Sequence, residues 1–404
     1  MLPKQENLWT RSFIALTIGY FLLFLSLHML LSPLPGYVKE RFQPDNVTIS
    51  LLTTMFAVSA IAARFMAAYA MKVMHRNVVL MAGLALAAVA IFAYPYATSI
   101  PTLLILRAAH GIGFGWASTV VPTMVSQIIP VRRMGEGIGY FGYSTSLAMS
   151  VGPALGIQLL EQSGIHVLSE LGACAAAVII PLLLFSRGIP AQPTKKASPD
   201  AGGAGSGRMN SMTLLPAALN ALLSLIYGGL LGFLGLYGQE IGIPQIGLFF
   251  LVSVISIVAV RPIAGRIFDR RGHMAVLIPA SFAVMGSMLL LSYAHNLTLV
   301  LASALLFGAG FGAIQLTTQA WMLRLAEPRH HGAANSLYYN SIDLGVGAGS
   351  LLLGAVAGAA GYAGMYRISA GFMVLFLLAY SAGLLAERKA RLRHHANEHV
   401  VESV

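Results

Sequence analysis

The sequence predicts an all-α membrane protein with twelve spanning helices in two pseudo-symmetric six-helix bundles. Three observations lead there. Hydrophobic residues make up 57% of the chain and charged residues only 10%, whereas a soluble domain carries about 25% charged residues. Apolar runs long enough to cross a hydrocarbon core recur along almost the whole length. Finally, landmark residues of the first half return in the second at a constant spacing of 197: Arg64 and Arg261, Gly115 and Gly312, Arg132 and Arg329, Gly135 and Gly332, Gly152 and Gly349. Period-two alternation is absent, which argues against an outer-membrane barrel.

The first six spans are expected at 12–34, 49–71, 77–97, 101–126, 134–160 and 166–186. The run from Ser12 to Leu31 is long enough to span and is followed by no small-residue cleavage site, so it reads as a first helix rather than a signal peptide. The turn P-V-R-R-M-G-E-G separates the fourth span from the fifth. A polar connector at 187–211 follows, rich in Pro, Gly and Ser and expected to hold no fixed fold. The second six spans are expected at 212–236, 246–268, 274–294, 298–324, 333–360 and 364–386, with a basic tail at 387–404. The domains are thus 1–186 and 212–386, joined by the connector.

Charge tests this count. With the amino terminus in the cytosol, nineteen of the 25 basic residues fall on cytosolic loops and only Lys39, Arg41 and Arg367 fall outside. Arg64, Arg107 and Arg261 lie within or at the ends of spans. So strong a positive-inside bias places both termini in the cytosol of a plasma membrane. The net charge of +11 is accounted for by topology, and a nucleic-acid partner is not expected. The single cysteine, Cys174, allows no disulfide within the chain.

Three motifs carry a family resemblance. G-R-I-F-D-R-R-G, Gly265 to Gly272, is similar to the loop motif G-x-x-x-D-R-x-G of the major facilitator superfamily (MFS). R-A-A-H-G at 107–111 resembles that family's R-x-x-Q-G, with His110 in place of glutamine. Gly139, Ala148 and G-P-A-L-G at 152–156 resemble the fifth-helix motif of its proton-driven exporters, with one glycine replaced by alanine. The chain departs from the family in the first-half loop, where Lys72 stands for the usual aspartate and His75 for glycine. The resemblance covers nearly the whole chain. It implies a secondary transporter of the MFS fold that rocks about a midplane cavity.

Within the spans, charge is costly, so embedded ionisable residues are functional candidates. Asp343 is the only carboxylate deep in a predicted span. A carboxyl in hydrocarbon is cheaper to keep when it holds a proton, which makes Asp343 a candidate proton carrier; the alternative is a packing aspartate satisfied by a neighbour. Asn340 shares its helix face. Arg107 is expected beside the cavity, or else as a structural arginine on helix-end carbonyls. Histidine as a residue type ionises near physiological pH, which makes His28 and His110 candidates for proton coupling, though a satisfied buried histidine is the blander reading. Arg64, Arg261, Gly265, Asp269, Arg270 and Gly272 are candidate gate residues, with Asp269 expected to latch the halves and Arg266, Arg270 and Arg271, its possible partners, better read as positive-inside anchors. Gly152, Pro153 and Gly156 are expected to bend the fifth span or let it pack closely.

By family analogy the cavity is lined chiefly by the first, fourth, seventh and tenth helices. Those helices offer Tyr20, Phe24, Trp116, Asn220, Tyr227, Gln315 and Gln319, and the fifth and eleventh add Tyr143, Tyr339 and Asn340. Amphipathic aromatics with amides suit a moderately polar organic molecule. The sequence has no nucleotide-binding motif, no nucleophile–base pair and no metal cluster in its spans, so neither an enzyme nor a cofactor is expected and a proton gradient is the expected energy source. The histidines of the tail read as a solvated basic segment rather than a metal site. The expectation is a monomeric, proton-coupled efflux antiporter for a small amphipathic drug-like compound. Alternatives are export of an opine-type metal-chelating metabolite, suggested by Y-Y-N-S-I-D-L-G-V-G, or import of a small organic anion or sugar derivative clamped by the three arginines.

Overall fold

The computed structural model describes residues 7–130, 133–185, 211–327 and 331–401, with side chains described as far as Leu385. The connector 187–211 therefore lies, apart from Ser211, outside the described residues, as do Lys4, Arg132 and Arg329. Among the described residues eleven α-helices follow one another: α1 Arg11–Leu31, α2 Pro33–Phe42, α3 Asn46–Val73, α4 Arg76–Phe92, α5 Ile100–Ile128, α6 Met134–Phe185, α7 Leu214–Glu240, α8 Leu248–Arg271, α9 Met274–Ser292, α10 Leu297–Leu325 and α11 His331–Val401.

Helix starts are set by capping side chains. Thr10 accepts from the Phe13 amide, Asp45 from Thr48, Ser99 from Thr102 and Asn296 from Leu299, each satisfying a donor that the first turn leaves free. The first span ends earlier than the expected 12–34. Pro33 and Pro35 start a new helix instead, and α2 carries the chain on to a left-handed Gln43. The third span likewise stops at Phe92 rather than 97, because Pro95 turns the chain into a short 3-10 helix, Tyr94–Tyr96.

Two helices conceal chain reversals. Gly164 has φ 78° and ψ 178°, and Gly361 has φ 71° and ψ 172°, conformations that side chains rarely adopt. The packing of α1 shows the first reversal. Tyr20 stacks on Phe141 and Met29 meets Gly156, whereas Gly19 meets Ile179 and Leu30 meets Gly172. The arm 134–163 thus runs parallel to α1, and the arm 165–185 runs back. In the second half, Ala221 meets Gly345 and Phe233 meets Gly354, while Leu215 meets Gly383 and Tyr237 meets Tyr366. Among the described residues nine helical stretches are long and apolar enough to cross a membrane, and α4 is a shorter apolar helix. Parting α6 and α11 at their glycines gives twelve apolar segments.

The repeat extends to individual contacts. A Cβ at Gly111 would strike Phe56 and Ser59, and one at Gly308 would strike Ser253 and Ser256. Gly113 closes on Gly83 and Ala87, and Gly310 on Ala280 and Val284. Gly152 closes on His28, and Gly349 on Leu225. Every partner in the second set lies 197 residues beyond its counterpart. Small residues at these positions let backbones approach where lipid supplies no hydrophobic drive between helices. For Gly152 and Gly156, α6 stays helical through Pro153, and both glycines press against His28 and Met29 of α1. Both glycines serve close packing in this conformation.

The two bundles are clasped from the midplane to the end remote from the chain termini. Tyr362 donates to Asn46 at 3.4 Å, Thr54 to the Gly347 carbonyl at 2.9 Å and Tyr227 to the Met149 carbonyl at 2.6 Å. Towards the terminal ends of their helices, Tyr69 of α3 and Tyr140 and Tyr143 of α6 are exposed.

Candidate functional site

At the midplane α3 and α11 bring an ion pair together. Arg64 Nη2 lies 2.5 Å from Asp343 Oδ2, and Arg64 Nη1 donates to Asn340 Oδ1 at 2.6 Å. Asn340 and Asp343 are three residues apart on α11, so one guanidinium spans both. Arg64 Nε also donates to Ser118 Oγ at 3.4 Å, and Tyr20 donates to the Ser118 carbonyl. The pair joins the bundles, since α3 belongs to the first and α11 to the second.

Asp343 also borders a narrow central cavity with Phe24, His28, Phe56, Met149 and Tyr339. Its volume in this conformation is about 20 Å³, room for about one water molecule. His28 stacks on Phe24 with ring centroids 6.3 Å apart, and its Nδ1 has no hydrogen-bond partner among the described residues. Tyr339 shares a hydrogen bond with Thr145 of α6 at 3.4 Å. The wall is mostly aromatic and aliphatic, with one carboxylate, one imidazole and the hydroxyl-bearing Thr53 and Tyr339.

The lining differs from the helices expected by analogy. It comes from α1, α3, the first arm of α6 and the first arm of α11. Tyr20, Phe24, Tyr339 and Asn340 gather around the site, and Tyr227 holds Met149 from the second bundle. Trp116 instead packs on Gly83 of α4. Asn220 donates to Ser341 Oγ at 2.8 Å, tying α7 to α11. Gln315 is buried on α10, where its carbonyl accepts from Thr318, and Gln319 donates to Asn335. Trp116, Asn220 and Gln319 contact neighbouring helices of their own bundle, the Gln315 Nε2 has no hydrogen-bond partner among the described residues, and none of the four borders the cavity.

Arg107 lies behind Phe56 rather than on the cavity wall. It is wholly buried, with its guanidinium 5.3 Å from the Tyr94 ring and 6.0 Å from the Phe56 ring, distances within the cation–π range. Its Nε and Nη1 have no hydrogen-bond partner among the described residues. His110 shares a 2.8 Å hydrogen bond with the Tyr94 hydroxyl and meets Phe56 edge-on. Sequence reasoning missed Tyr94 and Phe56, which are ordinary aromatics in sequence and gain meaning only from this cluster.

The gate candidates divide. Arg64 and Arg261 both cross between bundles; Arg261 donates to Ser146 and lies 5.6 Å from the Tyr143 ring. Asp269 does not cross. It pairs with Arg324, a partner within its own bundle, and both side chains are exposed. Arg270 is exposed as well, Gly265 lies against Leu316, and Gly272 at φ 76° ends α8. An exposed pair contributes little, so Asp269→Asn is expected to change stability by less than ~1 kcal/mol, read as thermal unfolding in detergent.

A membrane-embedded helical carrier is the class defined by two repeated bundles joined by a charge pair beside a central cavity. The family model for the Major Facilitator Superfamily matches residues 16–293 and 277–402. The chain belongs to that superfamily: it is a multi-pass membrane transporter and not an enzyme. An uncharacterized MFS-type transporter of Methanocaldococcus jannaschii is 22% identical over 361 residues, covering 85% of this chain and 91% of that protein. The multidrug resistance protein MdtG of Citrobacter koseri is 23% identical over 397 residues, covering 95% and 97%. The crystal structure of the nucleoside transporter NupG superposes with a TM-score of 0.70 at 16% identity, covering 93% and 99%, and shares the fold.

Proposed function

We propose that this transporter is a proton-coupled antiporter that exports a small amphipathic, drug-like compound by alternating access. The observation that carries the reading is the Arg64–Asp343 pair, which ties the bundles together where it also borders the cavity. A proton on Asp343 removes one charge of the pair and frees Arg64 from it. Bundles held by that contact then repopulate the alternative arrangement, because the proton binds the two states unequally. Substrate entering beside Phe24, Phe56 and Tyr339 meets an apolar wall with a single anionic group, which favours an amphipathic compound that is neutral or cationic. The likeness to a multidrug resistance protein over 95% of this chain favours efflux. The positive-inside bias of the sequence supports a cytosolic side for both termini, the 187–211 connector and the tail. The clasped end then faces outward, and the protein works as a monomer with the proton gradient as its energy source and no cofactor.

The rival substrates fit less well. A small anion would need a free basic clamp, but Arg64 is engaged by Asp343, Arg261 by Ser146, and Arg107 stands behind Phe56. An opine-type chelator would bring carboxylates against Asp343. The test is a panel of lipophilic cations in proteoliposomes, read as pH-gradient-driven accumulation and as substrate exchange without a gradient. Asp343→Asn is expected to abolish gradient-driven accumulation while exchange persists. Undiminished coupling in that variant would remove Asp343 from the mechanism.

A further inference from the structure

Arg64 and Arg261 occupy equivalent places in the two halves, and so do the residues they reach. Arg64 contacts Asp343 and Asn340. Arg261 contacts Ser146 and lies over Tyr143. Adding the repeat spacing of 197 to 146 and 143 gives 343 and 340. Each bundle therefore sends one arginine, from the second span of its own half, onto the fifth span of the other half. Both arginines are buried to the same degree, at 8% exposure. The two contacts are one device used twice about the pseudo-twofold axis. They differ in the acceptor, which is a carboxylate in one and a hydroxyl in the other.

We propose that this difference fixes the proton count: the Arg64–Asp343 bridge is released by one proton, the Arg261–Ser146 bridge takes none, and each transport cycle carries a single proton. The proposal rests on the reading of Asp343 as the coupling group. A guanidinium keeps its charge throughout, so only the acceptor can make such a bridge titrate. A serine hydroxyl has no ionisation in the working range, and its contact with Arg261 persists whatever the pH. The groups facing Asp343 are Arg64 from α3, Tyr20 and His28 from α1, and Tyr339 on its own helix. Those facing Arg261 are Tyr143 and Ser146 on α6, with Tyr338 and Tyr339 on α11. Asp343 is the one carboxylate in these two sets. The first bridge is thus a latch and the second a pivot.

The test needs no substrate. Spin labels at Val73→Cys and Met274→Cys, in a Cys174→Ser background, report the distance between bundles at the terminal end as pH is varied. The wild-type distance change is expected to titrate with a Hill slope of about one, the released state growing as pH falls. Asp343→Asn is expected to lose that titration. Ser146→Asp is expected to steepen it to a slope of about two or to split it into two steps. The double variant Asp343→Asn with Ser146→Asp is expected to regain a single step, because the proton site has moved to the other bridge. Ser146→Ala, which removes the hydroxyl without adding charge, is expected to keep a slope of about one.

The outcomes separate two failures. Titration that persists in Asp343→Asn would overturn the coupling role itself and point to His28 or another group. Loss in Asp343→Asn without recovery in the double variant would overturn the equivalence of the bridges alone. A changed slope in Ser146→Ala would also overturn it, and that variant stands even if the aspartate variants fail to fold.

Discussion

Gly156→Leu is expected to prevent this protein from assembling, so that no monodisperse species elutes from a sizing column in detergent. A Cβ built at Gly156 would overlap the carbonyl oxygen of Met29. The obstacle is backbone, which cannot swing aside as a side-chain tip can. Nor can α1 and the first arm of α6 simply part, because one turn earlier a Cβ at Gly152 would stand 2.7 Å from His28 Cβ, and Tyr20 stacks on Phe141 further along. Overpacking in a core that can yield costs typically about 1–3 kcal/mol; here the yielding group is the helix itself. Gly156→Ala, adding one carbon, is expected to assemble with a lowered unfolding temperature. Gly139 is the control, since nothing lies within 4 Å of a Cβ placed there. Gly139→Ala should be neutral or slightly stabilising through helix propensity. Wild-type elution and melting in Gly156→Leu would mean that the two helices are not packed in this register.

The fold was legible because the bilayer imposes it. A span must be apolar over its length, loops must carry the charge, and a duplicated chain repeats its landmarks, so an all-helical membrane fold with an internal repeat follows from hydropathy and spacing. Breaks set by backbone conformation were harder to read. Pro33 and Pro35 could end a helix or begin one, and α2 shows that they begin one. Asp343 was legible as a candidate because a lone intramembrane carboxylate has few innocent uses, and the structure brings it against Arg64. Its partner was not, since nothing in sequence says which face of α3 Arg64 occupies once the bundles dock. The signal for Ser146 did exist: it stands one repeat before Asp343, just as Arg64 stands one repeat before Arg261. Trp116 was misdirected for the opposite reason. An aromatic on a helix rich in small residues can face any neighbour, and here the missing side chain of Gly83 makes room for it. Arg107 shows how a buried charge can be far from the cavity wall when aromatic faces receive it.

Arg64→Ala should separate what the midplane pair does for stability from what it does for coupling. Removing the guanidinium leaves Asp343 and Asn340, side by side on α11, without their partner from α3 at the bundle interface, with Asp343 still 15% exposed. Breaking a fully buried pair from one side costs about 3–5 kcal/mol. Cavity water softens that loss, so a drop towards the lower end is expected, read as thermal unfolding in detergent. Arg64→Gln with Asp343→Asn removes both charges and leaves two amides able to hydrogen-bond. That double variant is expected within about 1 kcal/mol of wild type, because exchanging a whole buried pair for neutral groups is often close to neutral. Its transport should nevertheless be uncoupled from the proton gradient. The cycle therefore predicts recovery in one measurement and none in the other. If the double variant proved as unstable as Arg64→Ala, the contact would matter as packing between α3 and α11, and a proton arriving at Asp343 would have no latch to release.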